Sequence, residues 1–268
     1  MYRDRLPQLD GGLFLTDGGI ETTLIFEHGL ELPLFAAFPL LKHDDGTEQL
    51  RLYYAPYAML ARQHAVGLVL ESPTWRASPG WATQLGYSTD DLDGLNGLNG
   101  LNGLNGLNGL NGNAITLMEE LRRMYAGPHP IVISGCVGPE GDGYAPETML
   151  TPDEAEAYHA VQIGTFADTA ADLVTAITMT YAEEAIGVAR AAAAAGMPSV
   201  ISFTVETDGR LPSGQALSDA IQQVDDATSR APAYFMINCA HPTHFEAVLE
   251  SGAPWVERIG GLRRTPRR

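Results

Sequence analysis

Short apolar, β-branched runs recur along the chain and alternate with longer stretches whose apolar positions follow helical spacing. The runs lie at Leu13–Thr16, Gly67–Leu70, Ile131–Ser134, Leu173–Thr178, Ser199–Thr204, Tyr234–Asn238 and Trp255–Ile259. Their shortness and their β-branched content predict strands. Helical patterns fill the gaps at Glu48–Ala65, Ala114–Tyr125, Pro152–Ala170, Glu183–Ala195, Leu217–Ala227 and Thr243–Glu250. Two of these have readable ends. Thr151-Pro152-Asp153-Glu154 is a capping box with proline at the first helical position. Gly196-Met197-Pro198 stops the alanine-rich helix with a residue suited to a left-handed turn and then a proline. Strand, helix and strand in regular alternation imply parallel strands joined by right-handed crossovers. The expected class is α/β, an incomplete (β/α)8 TIM-type barrel with about seven of the eight strands. The sequence ends where the eighth unit is expected to begin.

One segment breaks the alternation. Gly94 to Asn111 is six copies of Gly-Leu-Asn, followed by Gly112 and Asn113. A helix would set its leucines at i, i+3 spacing, but six interior glycines at roughly 1 kcal/mol each argue against one. The tract reads as a flexible loop, with the helix starting after it at Ala114. Removing five copies leaves a smooth passage from turn to helix, so fifteen residues, Gly94–Asn108, read as a tandem expansion. Surface loops accept such insertions at modest entropic cost. The expected organisation is a single barrel domain over residues 1–268 with a low-complexity insert at 94–111.

Composition narrows the partners. The chain of 268 residues carries 33 acidic and 16 basic residues, a formal net charge of −17. Such a surface repels nucleic acid and anionic membranes, so neither is an expected partner. Lys42 is the one lysine, and Arg263, Arg264, Arg267 and Arg268 crowd the last six positions. Two cysteines, Cys136 and Cys239, are too few for a disulfide scaffold and suit a reducing compartment. The start, MYRDRLPQLDGG, lacks the apolar core of a signal peptide, and the expected location is cytoplasmic.

Barrel enzymes carry their chemistry at the carboxyl ends of strands. Strand one ends in Thr16-Asp17-Gly18-Gly19, where glycines let backbone N–H groups approach a ligand beside a carboxylate; a tight strand–helix turn accounts for them equally. Strand two runs out into Glu71-Ser72-Pro73-Thr74-Trp75-Arg76-Ala77-Ser78, longer than a minimal turn. Strand three ends in Ser134-Gly135-Cys136-Val137-Gly138-Pro139, and strand six in Asn238-Cys239-Ala240-His241-Pro242. A thiol at a barrel mouth can ligate zinc or attack as a nucleophile, although a lone cysteine also serves as a small buried hydrophobe. Cys239, His241 and His244 superficially resemble a metal cluster, but Pro242 and the helix near Thr243 oppose their convergence. Cys136 reads as packing. His28, His43, His64, His129 and His159 read as helix-surface or loop residues.

Six motifs, in order and at strand ends, carry a resemblance. They are Thr16-Asp17-Gly18-Gly19, Thr74-Trp75-Arg76-Ala77-Ser78, Gly135-Cys136-Val137-Gly138-Pro139, Ile201-Ser202-Phe203-Thr204, Leu211-Pro212-Ser213-Gly214 and Ile237-Asn238-Cys239. Together they resemble the homocysteine S-methyltransferase family over nearly the whole chain outside the insert. The resemblance implies a zinc-dependent (β/α)8 barrel that moves a methyl group from a sulfonium, ammonium or folate-type donor to the sulfur of homocysteine or a related small thiol. It implies substrate contacts from Asp17, Gly18, Gly19, Thr74 and Asn238, and a Zn2+ contact from Cys239. The chemistry is coherent, because a thiol with a pKa near 8.5 is mostly protonated at neutral pH and needs activation. A methyl group on a positively charged heteroatom then needs chiefly alignment for in-line displacement.

Two departures qualify what the resemblance implies. The family's other zinc cysteines lie in a Gly-Gly-Cys-Cys motif on strand eight, which this sequence does not contain, so weak or absent zinc binding is expected. Ile177 stands where many relatives carry the glutamate that holds the substrate ammonium. Two readings therefore stand beside a methyltransferase. One is a non-catalytic or partner-dependent remnant, self-associating through the edges of strands one and seven. The other is a metal-independent small-molecule enzyme using Asp17 and Glu71 as acid and base.

Overall fold

The computed structural model describes residues 1–87, 107–146, 149–249 and 252–263. Its strands are β1 (Phe14–Thr16), β2 (Gly67–Glu71), β3 (Ile131–Val137), β4 (Leu173–Met179), β5 (Ser199–Phe203), β6 (Tyr234–Asn238) and β7 (Ile259–Arg263). They follow one another in chain order in one seven-stranded sheet. The pairs β1–β2, β2–β3, β4–β5, β5–β6 and β6–β7 are parallel. The intervening helices are α1 (Ile20–Phe26), α2 (Asp44–His64), α3 (Pro79–Gln84), α4 (Leu107–Met124), α5 (Pro152–Ala167), α6 (Ala182–Ala194), α7 (Leu217–Thr228) and α8 (Pro242–Leu249). At least one helix separates each successive pair of strands, and strand order never reverses. That is the winding of a (β/α)8 TIM-type barrel rather than of a doubly wound sheet, with seven of the eight strands among the described residues. Strands β2 to β5 are buried at every position, as expected of parallel strands covered on both faces.

Three expectations are corrected. The run Trp255–Ile259 is not the seventh strand: Pro254–Arg258 forms a 3-10 turn and the strand follows at Ile259–Arg263. The cause is Arg258, whose guanidinium grips the Asp225 carboxylate at 2.8 Å through two nitrogens and also donates to the Pro232 and Ala233 carbonyls. Gly260 is needed within β7, because a Cβ there would lie 2.7 Å from the Tyr234 ring. Helix α4 begins at Leu107 rather than Ala114, so the last Gly-Leu-Asn copy is helical and both Leu110 and Asn111 are wholly buried. Burial of that copy overrides the weak propensity of its glycines. Finally, His159 is not a surface residue. It is buried on α5, with Nε2 3.0 Å from the buried Glu184 carboxylate. The Gly-Leu-Asn copies over 94–106 and the arginines at 264, 267 and 268 lie outside the described residues.

The chain divides into two compact units, Met1–Val137 with Gln162–Leu173, and Gly138–Val161 with Val174–Arg268. In the first, α2 extends to Asp44 because Asp44 and Asp45 in its first turn suit the positive end of the helix dipole. Its buried face carries Leu50, Tyr53, Tyr54, Ala58 and Ala61. Asp172 is the polar hub at the other end of the strands, accepting from Tyr2 N at 2.6 Å, Arg122 at 2.8 Å and Ile133 N at 2.9 Å. In the second unit, Phe203 and Phe235 stack with centroids 6.1 Å apart. The capping box forms as predicted, with Glu154 accepting from Thr151 N at 2.8 Å and donating its own N–H to Thr151 Oγ1 at 3.3 Å. Gly196 takes a φ of +66° at the end of α6. Among the described residues no helix is long and apolar enough to cross a membrane.

Candidate active site

In the first unit the ends of β1 and β2 are tied together by helix α2. Tyrosines at 53, 54 and 57 fall on one helical stretch. Tyr53 donates its hydroxyl to Asp17 Oδ2 at 3.1 Å, and Tyr54 donates to the Glu71 carbonyl at 2.6 Å. The other Asp17 oxygen accepts the Glu71 backbone N–H at 3.1 Å. Asp17 is thus a buried carboxylate bridging two strand ends, and Glu71 beside it is buried as well. Gly18 is required by close approach, since a Cβ there would stand 2.5 Å from the Tyr57 hydroxyl. At Gly19 a Cβ would meet Thr22 at 3.4 Å, an ordinary contact. Sequence reading missed the tyrosines. Their helical spacing was visible, but only the fold brings that face under β1 and β2.

Thr74 sits in a closed polar network. Its hydroxyl donates to the Cys136 carbonyl at 2.7 Å and lies 2.7 Å from Ser72 Oγ, which accepts the Cys136 N–H at 2.9 Å. Thr74 has no solvent exposure, and the hydroxyl is committed to joining the ends of β2 and β3. Trp75 and Arg76 follow, both half-buried, with the Arg76 guanidinium 4.8 Å from the Trp75 ring centroid and 3.7 Å from that of Trp81. Arg76 also donates to the Leu34 carbonyl.

In the second unit the strand ends are organised by Asn238, buried at the end of β6. Its Oδ1 accepts from Ser202 Oγ at 2.6 Å and from Thr178 N at 3.0 Å, while Nδ2 donates to Thr178 Oγ1 at 2.9 Å. Thr178 has a φ of +68°, where the β4–β5 register shifts between Ala176 and Met179. A β-branched residue there is a true steric outlier, and the Asn238 amide holds it in place. Ile177, one residue earlier, is buried. Cys239 also adopts a left-handed φ, +54°; its thiol is exposed and its N–H donates to the Arg263 carbonyl at 3.0 Å. His241 Nδ1 pairs with Thr243 Oγ1 at 2.8 Å, and the His241 and His244 rings lie 6.0 Å apart. Among the described residues, no three His, Cys, Asp or Glu side chains are grouped so as to hold a metal ion. Cys239 offers one donor, and the described residues do not complete a zinc site around it.

Parallel strands in chain order with helices between them define a (β/α)8-type barrel. The sequence pattern of the homocysteine S-methyltransferase family matches residues 14–259. The chain belongs to that family of S-methyltransferases. Among solved structures it is similar to the homocysteine methyltransferase MmuM from Escherichia coli. The metallated form is 20% identical, with a TM-score of 0.69, and the match covers 96% of this chain and 94% of that one. The oxidised form is likewise 20% identical over the same coverage, with a TM-score of 0.70. At this identity the likeness establishes the fold. No curated protein matches the chain.

Proposed function

We propose that the chain transfers a methyl group from a sulfonium, ammonium or folate-type donor to the sulfur of homocysteine or a related small thiol, as a cytoplasmic enzyme. The carrying observation is the strained, exposed Cys239 closing β6 within a chain of this family. A left-handed cysteine costs roughly 1–2 kcal/mol that a glycine would save, and such strain concentrates at functional positions. In this reading Asp17, Gly18, Gly19, Thr74 and Asn238 serve the substrates. Asp17 and Thr74 act by fixing the loops that bear the contacts, since their polar atoms are engaged within the protein. Cys239 is the one thiol that would contribute to a Zn2+ site, a metal that would lower the pKa of the acceptor sulfur; no step here depends on it.

The reaction is an in-line displacement. The acceptor thiol loses its proton to solvent, and the new S–CH3 bond forms as the bond from methyl to the donor heteroatom breaks. The donor leaves with that electron pair, neutral if it began as an onium. The side chains supply alignment rather than a covalent intermediate. With Ile177 unable to pair with an ammonium, other small thiols stand beside homocysteine as acceptors.

The test offers homocysteine and other small thiols with S-methylmethionine, betaine or a methylfolate, and follows thiol loss. Wild-type protein is expected to consume a thiol and form its methyl thioether. Folded protein that methylates no thiol with any of these donors ends the proposal.

A further inference from the structure

The loop after β2 is held from outside the strand ends by two buried amides that the function above does not use. Gln162, on α5, donates Nε2 to the Thr74 carbonyl at 3.0 Å and to Asn111 Oδ1 at 3.0 Å. Asn111, on α4, donates Nδ2 to the Ala77 carbonyl at 3.1 Å. Both side chains are almost wholly buried, at 1% and 0% exposure. Gln162 Nε2 faces two acceptors, so the opposite amide orientation would set oxygen against oxygen; the orientation follows from the network. The two carbonyls they capture, Thr74 and Ala77, flank Trp75 and Arg76. Leu110, beside Asn111, packs in one cluster with Ala77 of this loop and with Ala36, Phe38, Ala82 and Tyr87.

We propose that Gln162 and Asn111 are positioning residues that set the Thr74–Ala77 loop and with it Thr74; the proposal rests on the methyltransferase reading for its kinetic part only. It gives the Gly-Leu-Asn tract a single working copy. Because all six copies are identical, whichever one adjoins Gly112-Asn113 supplies the buried leucine and asparagine. Copy number is therefore not read by the fold, whereas the identity of the last copy is.

The experiment uses the full chain labelled with 5-fluorotryptophan, whose three tryptophans, Trp75, Trp81 and Trp255, give three fluorine resonances. Gln162→Met removes both donated bonds at nearly constant length, and Asn111→Ala removes the bond to Ala77. Each is expected to shift or broaden the Trp75 resonance and leave Trp255 in place. Deletion of Gly94–Asn108 is expected to leave the spectrum unchanged. With a thiol acceptor that wild type methylates, both substitutions are expected to raise KM about tenfold with kcat held within about twofold. An unmoved Trp75 resonance in both variants overturns the proposal, as does failure of both to fold, which would make them plain core supports. Wild-type protein without transferase activity would sink the methyltransferase reading and leave the fluorine result standing.

Discussion

The strand ends of the two units solve opposite problems. At β1 and β2 the polar groups are buried and held: Asp17 takes two donors, Thr74 closes a ring of hydrogen bonds, and Tyr53 and Tyr54 of α2 bond to the strand ends. At β4 and β6 the backbone itself is forced, with Thr178 and Cys239 both at positive φ. Asn238 links the β4 distortion to β5 and β6. The first unit is a preorganised floor whose residues work by being fixed. The second holds an exposed thiol at positive φ, a conformation that costs stability.

That contrast breaks most visibly at Asn238. Replacing it with alanine strands the Thr178 N–H and releases the Ser202 hydroxyl, and about 3–4 kcal/mol of stability is expected to be lost in denaturant unfolding. Asp17→Ala is the matching cut in the first unit. It orphans the Glu71 N–H and the Tyr53 hydroxyl and is expected to cost about 2–3 kcal/mol by the same measurement. The contrast sharpens at Cys239, where Cys239→Gly relieves left-handed strain and is expected to raise stability by about 0.5–1 kcal/mol while removing the thiol. A loss of stability there would mean that the thiol is a packing group and not a strained one.

The smallest effect concerns pH. Thr151, through its backbone N–H and then its hydroxyl, holds the Glu154 carboxyl below the usual carboxylate range. A lowered folded-state value stabilises above the unfolded value, and the gain disappears as pH falls through the folded value. Glu154→Gln is therefore expected to flatten slightly the acid side of the melting-temperature profile. No change is expected near neutrality beyond a small constant offset.

Much of this was legible before any coordinates. Six of the seven strands fall on their apolar runs, because a strand covered on both faces must be apolar at nearly every position. The capping box at Thr151 and the stop at Gly196 were readable for the same local reason: capping chemistry needs only neighbouring residues. The seventh strand was misplaced because Arg258 turns the chain through Asp225, 33 residues away. Helix α4 was cut short because glycine count predicts disorder, and only the apolar cluster around Leu110 shows what the last copy buries. His159 looked like any other histidine, since its partner Glu184 lies 25 residues on.

The candidate site divides along the same line. The sequence by itself determined the order of strands and helices, the family, and which polar residues stand at strand ends, because periodicity and motif spacing are properties of the chain. Only the tertiary structure decided what those residues do there. Asp17 and Thr74 become braces because α2 and β3 bring donors and acceptors against them. Asn238 becomes a clamp because a bulge in β4 leaves an N–H for it to satisfy. Cys239 takes its left-handed conformation where the Arg263 carbonyl of β7 accepts its amide. Each outcome depends on a partner distant in sequence, and hydrogen bonds between distant residues leave no periodic trace in the chain.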